Sequence, residues 1–113
     1  SFHCKAAADG KPLISKEHYK KIKPTAYIIN AARGNMVDEK DLNDALNENL
    51  IAGAAVDVFS KEPAKENILF NNPKAILTPH IAASTTEASI TVAEMIANQI
   101  SDFLTKGVKI HTV

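Results

Sequence analysis

An α/β fold built on an open parallel sheet is what this chain of 113 residues predicts, on three observations. Apolar runs without polar alternation recur at residues 26–31, 54–59 and 75–78, the pattern of strands buried on both faces. The segments between them carry helical periodicity or polar loop composition, and such connections favour right-handed parallel crossovers. Just past each run stands an ionisable side chain: Arg33, then Glu62, then His80. Ligands of open parallel sheets bind outside the carboxyl ends of the strands, so these three side chains can converge on one site.

The elements follow in order. Residues 6–12 hold Ala, Asp, Gly and Pro and read as a turn-rich loop. Ser15 is placed to cap a short helix through Lys23, with Tyr19 and Ile22 on one face and Pro24 as its stop. The first strand leads into Gly34-Asn35, a pair that tolerates left-handed backbone. Asp38 then caps a helix whose apolar stripe is Leu42, Ala45, Leu46 and Leu50, with Gly53 as the expected end. In the second strand Asp57 interrupts the apolar run, and Pro63 blocks continuation beyond it. Residues 64–74 form a polar loop with a helical turn at 68–70, and Pro79 stops the third strand.

Ser84 and Glu87 have the spacing of a capping box. They open a helix expected to reach about Thr105, with Gly107 as its terminal signal. Ala88, Val92, Ile96, Ile100, Phe103 and Leu104 line one face of it. Some twenty residues make a rod of about 30 Å, long enough to cross between domains. Residues 108–113 alternate and read as an edge strand. The expected organisation is one α/β domain over residues 1–84, with a crossover helix and tail over 85–113.

Thirteen basic and thirteen acidic side chains cancel, which argues against nucleic acid or an anionic membrane as partner. The single cysteine, Cys4, cannot form an intrachain disulfide and fits a reducing compartment. No apolar run approaches the ~20 residues of a membrane span. A cytoplasmic location is therefore the expectation. Ser1-Phe2-His3-Cys4 reads as the last residues of a strand, so the chain is expected to be a piece of a longer protein.

Each ionisable side chain has a chemical reading and an ordinary one. The planar guanidinium of Arg33 can bind a substrate carboxylate bidentately, or pair on the surface with Asp38 or Glu39. His80 can take a proton from a hydroxyl as hydride leaves carbon, or bond backbone at a strand end. Glu62 beside His80 would stabilise imidazolium and fix the ring tautomer; otherwise it is an exposed loop residue. Asp57 can accept hydrogen bonds from a nicotinamide amide, or pair with a neighbouring backbone group or an arginine. The spacings of His3, Cys4, His18, His80 and His111 suit no zinc site. A G-x-S-x-G run is absent from the sequence.

With these residues in place, the sequence resembles the D-isomer-specific 2-hydroxyacid dehydrogenases. The likeness is carried by residues 23–38, by 52–59 with Glu62-Pro63, and by 78–85, in matching order and spacing. Within that family, residues 23–27 and 80–85 look most like the branch acting on D-3-phosphoglycerate. The resemblance implies the second half of a Rossmann-type doubly wound sheet, ending in a long crossover helix. It also implies an NAD-dependent oxidoreductase that is a homodimer at full length and acts on a small carboxylate substrate. By the same resemblance Arg33 binds the substrate, His80 is the acid/base and Glu62 its partner. NAD would be contacted by His3, Cys4, Ala31, Ala32, Arg33, Asp57, His80, Ala82 and Ala83.

Some features depart from the family. The G-x-G-x-x-G phosphate loop is missing, so these residues alone are not expected to turn over substrate. Asn35 and Ala82 stand where glycine is usual, and Lys5 where proline is frequent. Two other readings stay open. One is a dinucleotide-sensing corepressor on the same scaffold, which the aromatic-free stretch Ala82-Ala83-Ser84-Thr85 disfavours. The other is a plain α/β fragment without activity.

Overall fold

The computed structural model describes residues 1–110. Three strands, β1 (Tyr27–Asn30), β2 (Gly53–Val56) and β3 (Ala75–Leu77), pair in parallel in the order β1-β2-β3. Ile28 lies opposite Ala54, and Ala54 opposite Ala75. Helix α1 (Lys16–Tyr19) precedes β1, α2 (Glu39–Asn47) joins β1 to β2, and α3 (Thr86–Lys106) follows β3. Two compact units result, Ser1–Ala82 with the whole sheet and a second beginning at Ala83. This is the open parallel sheet with helices, ending in a long helix, that the apolar runs predicted.

The core of the first unit lies between α2 and one face of the sheet. Leu42, Ala45 and Leu46 of α2 pack with Ile28, Ala54 and Val56, joined by Tyr19, Ile51 and Leu69. Burying each such large side chain contributes about 1.5–3 kcal/mol. The opposite face differs from expectation. Tyr27, Ile29 and Ile76 are 70%, 46% and 72% exposed, so the strands are not buried on both sides within this unit. Side chains alternate along a strand, and no helix of the first unit packs against that face. An uninterrupted apolar run therefore did not distinguish one covered face from two.

Several element ends also move, each for a local reason. Helix α1 stops at Tyr19 instead of Lys23, because the amides of Lys21 and Ile22 bond three residues back, to His18 and Tyr19, and tighten the chain. Helix α2 starts as expected, with the Asp38 carboxylate accepting the Asp41 amide at 2.9 Å. It ends well before Gly53, because Asn49 takes the left-handed turn with φ 58°. Gly53 instead opens β2, where an added Cβ would meet the Tyr27 ring at 3.1 Å. In α3, Thr85 replaces Ser84 as the cap, its hydroxyl accepting the Ala88 amide at 3.1 Å. Gly107 closes α3 in the left-handed region, φ 67°, as predicted. The turn at 68–70 is a 3-10 helix, Ile68–Asn71.

Residues 108–110 form no strand, and the rest of the predicted edge strand, His111 to Val113, lies outside the described residues. Among the described residues no helix is long and apolar enough to cross a membrane.

Gly34 also differs from expectation. It does not use the left-handed region; it starts a 3-10 turn, Gly34–Met36. Its lack of a side chain is needed for space, since a Cβ there would sit 2.0 Å from the Phe59 carbonyl oxygen. Gly34→Ala is therefore expected to force backbone apart and to destabilise the protein by about 3 kcal/mol or more. Gly53→Ala, whose Cβ would meet the exposed Tyr27 ring at 3.1 Å and the Lys74 carbonyl oxygen at 3.2 Å, both farther off than the atoms around Gly34, should cost less. Urea denaturation midpoints of the two variants check the order, and equal midpoints contradict it.

Candidate functional site

Strand β3 delivers the chain to Thr78-Pro79-His80, where the backbone leaves the sheet. His80 adopts φ 56°, a conformation that an L-residue holds only under constraint and that costs of order 1–3 kcal/mol. Asp57, the residue after β2, supplies the constraint. Its carboxylate accepts the amides of Ile81 and Ala82, each at 2.9 Å, and the hydroxyl of Thr78. Desolvation pushes its pKa up, but the bonds from Thr78, Ala82 and Ile81 outweigh burial and leave it below the ordinary carboxylate value. Of the two readings of Asp57, the side chain follows the one in which neighbouring groups satisfy it.

The loop after β2 brings Glu62 to His80. Glu62 Oε2 lies 2.7 Å from His80 Nδ1, while Oε1 accepts the Phe59 amide at 2.9 Å. The Phe59 amide, then the bond to His80, hold the Glu62 pKa below its usual value. An ionised carboxylate only accepts, so the shared proton belongs on Nδ1, and in the neutral imidazole this leaves the lone pair on Nε2. Both side chains face a depression of about 590 Å³ whose walls include Phe59, Phe70 and Leu77.

Arg33 follows β1 by three residues. The buried Asn30 shapes its loop, accepting the Ala32 amide at 3.2 Å and donating to the Arg33 carbonyl at 2.9 Å. The guanidinium is exposed and donates through Nη1 to the Ala32 carbonyl at 2.7 Å. Among the described residues it pairs with neither Asp38 nor Glu39. It borders a second concavity, of about 630 Å³, together with His3, Cys4, Ala31 and Ala32.

So the structure brings Glu62 and His80 into contact and sets Arg33 on another concavity along the same carboxyl edge. The link between them is backbone: Gly34, next to Arg33, abuts Phe59, whose amide binds Glu62. Ala82 is exposed and its amide is taken by Asp57, and Ala83 begins the second unit. Two residues of the site, Asn30 and Thr78, had no role assigned from sequence, and Glu39 was considered only as a surface partner for Arg33. Asn30 is the polar residue within the first apolar run and Thr78 ends the third, a weak signal that the side chain works at a strand end. Glu39 offered none, because its partners Ser60 and Asn67 are distant in the chain.

The residues at these strand ends suit the reactive end of a dinucleotide. Alanines at 31, 32 and 82 leave the backbone approachable by a flat ring, and the concavity beside His3 and Cys4 is open. Nothing among them resembles a phosphate cradle.

Residues 1–82 match the sequence profile of the D-isomer specific 2-hydroxyacid dehydrogenase, NAD binding domain. The chain is 44% identical to D-3-phosphoglycerate dehydrogenase of Synechocystis sp. over 104 residues, 92% of this chain and 19% of that protein. It is 45% identical to glyoxylate reductase of Pyrococcus furiosus over 91 residues, 80% of this chain and 27% of that protein. A D-lactate dehydrogenase structure from Sporolactobacillus sp. superimposes with TM-score 0.76 at 30% identity, covering 98% of this chain and 38% of the other. The chain thus spans well under half the length of these relatives.

Because the folded-state pKa of Asp57 is depressed, its contribution to stability is complete above the unfolded value of about 4. It is lost as pH falls through the folded value. Asp57→Asn leaves one acceptor oxygen for three donors and should lower stability at neutral pH by about 1–3 kcal/mol. It should also flatten the fall in stability below pH of about 4. Urea midpoints measured from neutral to acid pH test both effects, and parallel curves for variant and parent contradict this reading.

Proposed function

The chain belongs to the D-isomer-specific 2-hydroxyacid dehydrogenase family through its NAD-binding domain, and on that premise we propose that the full-length protein oxidises a D-2-hydroxy acid, with D-3-phosphoglycerate as its substrate. The observation that carries the reading is the 2.7 Å contact between Glu62 and His80 at the carboxyl end of β3. NAD, when bound, supplies the acceptor for the hydride leaving C2. The chain's own part is proton and charge management. His80 Nε2, unprotonated while Nδ1 faces Glu62, takes the hydroxyl proton. Glu62 stays ionised and offsets the positive charge that then develops on the ring. Arg33 grips the substrate carboxylate through two parallel N–H bonds and so fixes C2. His3, Cys4, Ala31, Ala32, Asp57, Ala82 and Ala83 form or support the surface against which the nicotinamide end rests.

The choice of phosphoglycerate rests on residues 23–27 and 80–85 and on relatives bearing that name at 44% and 41% identity. The 45% identity to a glyoxylate reductase gives the competing substrate a definite form.

In the full-length protein, His80→Ala is expected to lower kcat by about 10²–10⁴-fold. Arg33→Ala is expected chiefly to raise KM for the carboxylate substrate, by about 10- to 100-fold, the worth of a charged hydrogen-bonded pair. Steady-state kinetics with D-3-phosphoglycerate and, in the reducing direction, glyoxylate provide the test. Near-normal constants in both variants defeat the mechanism, and a higher kcat/KM for glyoxylate reassigns the substrate.

A further inference from the structure

Glu62 and His80 are both substantially exposed, with side-chain accessibilities of 35% and 52%. Exposed polar side chains ordinarily sample several rotamers, so something must hold the Glu62 loop in register with the imidazole. Among the described residues the Glu62 carboxylate is fixed on its far side by the Phe59 amide alone. Its orientation is therefore as good as the placement of that part of the backbone.

The peptide group joining Phe59 to Ser60 is clamped from both sides. Its carbonyl lies against Gly34, where no Cβ could fit. Its N–H, that of Ser60, donates to Glu39 Oε1 at 2.7 Å. The other Glu39 oxygen accepts the Ser60 hydroxyl at 3.0 Å and the Asn67 side-chain amide at 2.8 Å. Asn67 in turn accepts the amide of the buried Leu69 at 3.0 Å, which ties it to the core. Ser60 and Asn67 lie on either side of Glu62 in the chain, so one carboxylate pins both arms of the loop. Glu39 is the first residue of α2, whose buried face is part of the core, and its own backbone is correspondingly fixed.

We propose that Glu39 is a positioning residue for the Glu62–His80 pair, anchoring the loop that carries Glu62 so that the imidazole keeps its proton on Nδ1. This rests on the reading of His80 as the acid/base. Glu39 itself touches neither Glu62 nor His80, and it acts through Ser60 and the neighbouring Phe59 amide. Three donors converge on its two oxygens, so a carboxamide cannot replace it. In Glu39→Gln one oxygen becomes an amide group that must face the Asn67 and Ser60 donors. The complementary change Asn67→Asp restores the match. The introduced carboxamide then donates to one oxygen of the introduced carboxylate, while the other oxygen keeps the Leu69 amide.

The test uses the full-length protein with parent, Glu39→Gln, Glu39→Gln/Asn67→Asp and His80→Ala. Two readouts are needed: kcat and KM, and the long-range proton–nitrogen NMR correlation of the His80 ring, assigned by its absence in His80→Ala. Glu39→Gln is expected to lower kcat by about 10- to 100-fold, the cost of an ångström-scale misplacement, with little change in KM. Its His80 ring signal should move from the single Nδ1–H tautomer to a mixture. The double variant should recover both. The proposal is overturned by an unchanged kcat, by a kcat loss with the ring signal unaltered, or by a loss that Asn67→Asp does not rescue. If His80→Ala turns over normally, the acid/base reading fails instead, and the ring signal still decides whether Glu39 positions the pair.

Discussion

A single buried carboxylate joins the working ends of two strands. Asp57 stands one residue past β2, and its two oxygens are satisfied by groups that all follow β3: one hydroxyl and two consecutive amides. A charge withdrawn from water is tolerable only with such partners. The same bonds oblige the chain after Thr78 to fold back over the end of β2. The left-handed backbone of His80 is the result of that requirement. Remove the carboxylate and the two amides lose their acceptor, leaving little to hold a non-glycine residue at positive φ.

From this constraint the rest of the site follows by contact. With His80 turned outward at the sheet edge, its Nδ1 meets Glu62, which arrives on the loop from the neighbouring strand. That loop cannot drift, because Gly34 lets the turn after β1 come within touching distance of Phe59. Asn30, fully buried at the end of β1, performs for the Arg33 loop the service that Asp57 performs for the His80 loop. At the ends of β1 and β2 a buried polar residue, Asn30 or Asp57, bonds backbone, and at the end of β3 the Thr78 hydroxyl donates to the Asp57 carboxylate. Parallel pairing brings the three ends to one edge, and these bonds keep them there.

How much of this could be read from the letters depends on the range of each interaction. Strands, the starts of helices and the glycine after α3 depend on nearest neighbours, and Asp38, Gly107 and the three apolar runs all disclosed them. Gly53 misled, because an asparagine four residues earlier had already turned the chain. Gly34 stands out in the sequence for the wrong property, since the residue it makes room for lies in a different strand's loop. The pairing of Glu62 with His80 spans 18 residues, and the convergence of parallel strand ends made it one reading of the sequence while spacing alone could not choose it over an exposed loop residue. Glu39 was considered only as a surface partner for Arg33, and its bonds to Ser60 and Asn67 went unseen. A glutamate in the first turn of a helix is ordinary on dipole grounds, and nothing local marks Ser60 and Asn67 as its partners. The exposure of one sheet face was equally hidden, because Ile29 and Ile76 read the same whether covered or open.

Arg33 is the side chain whose observed state differs most from its proposed task, and the difference is small in energy. Its guanidinium spends one N–H on the carbonyl of the preceding residue, at the surface, with no carboxylate near enough to pair among the described residues. A neutral acceptor of that kind contributes about 0.5–1.5 kcal/mol, whereas charge-assisted bonds to a carboxylate contribute about 1.5–3 kcal/mol each. Exchanging the first for a bidentate pair is downhill, and it needs only side-chain rotation, because Asn30 already fixes the backbone on both sides. The two halves of the site are therefore prepared differently. On the proposed mechanism, the Glu62–His80 contact is assembled in advance, where a misplaced proton would be costly, and the Arg33 grip is left to form on a substrate that carries the charge to reward it.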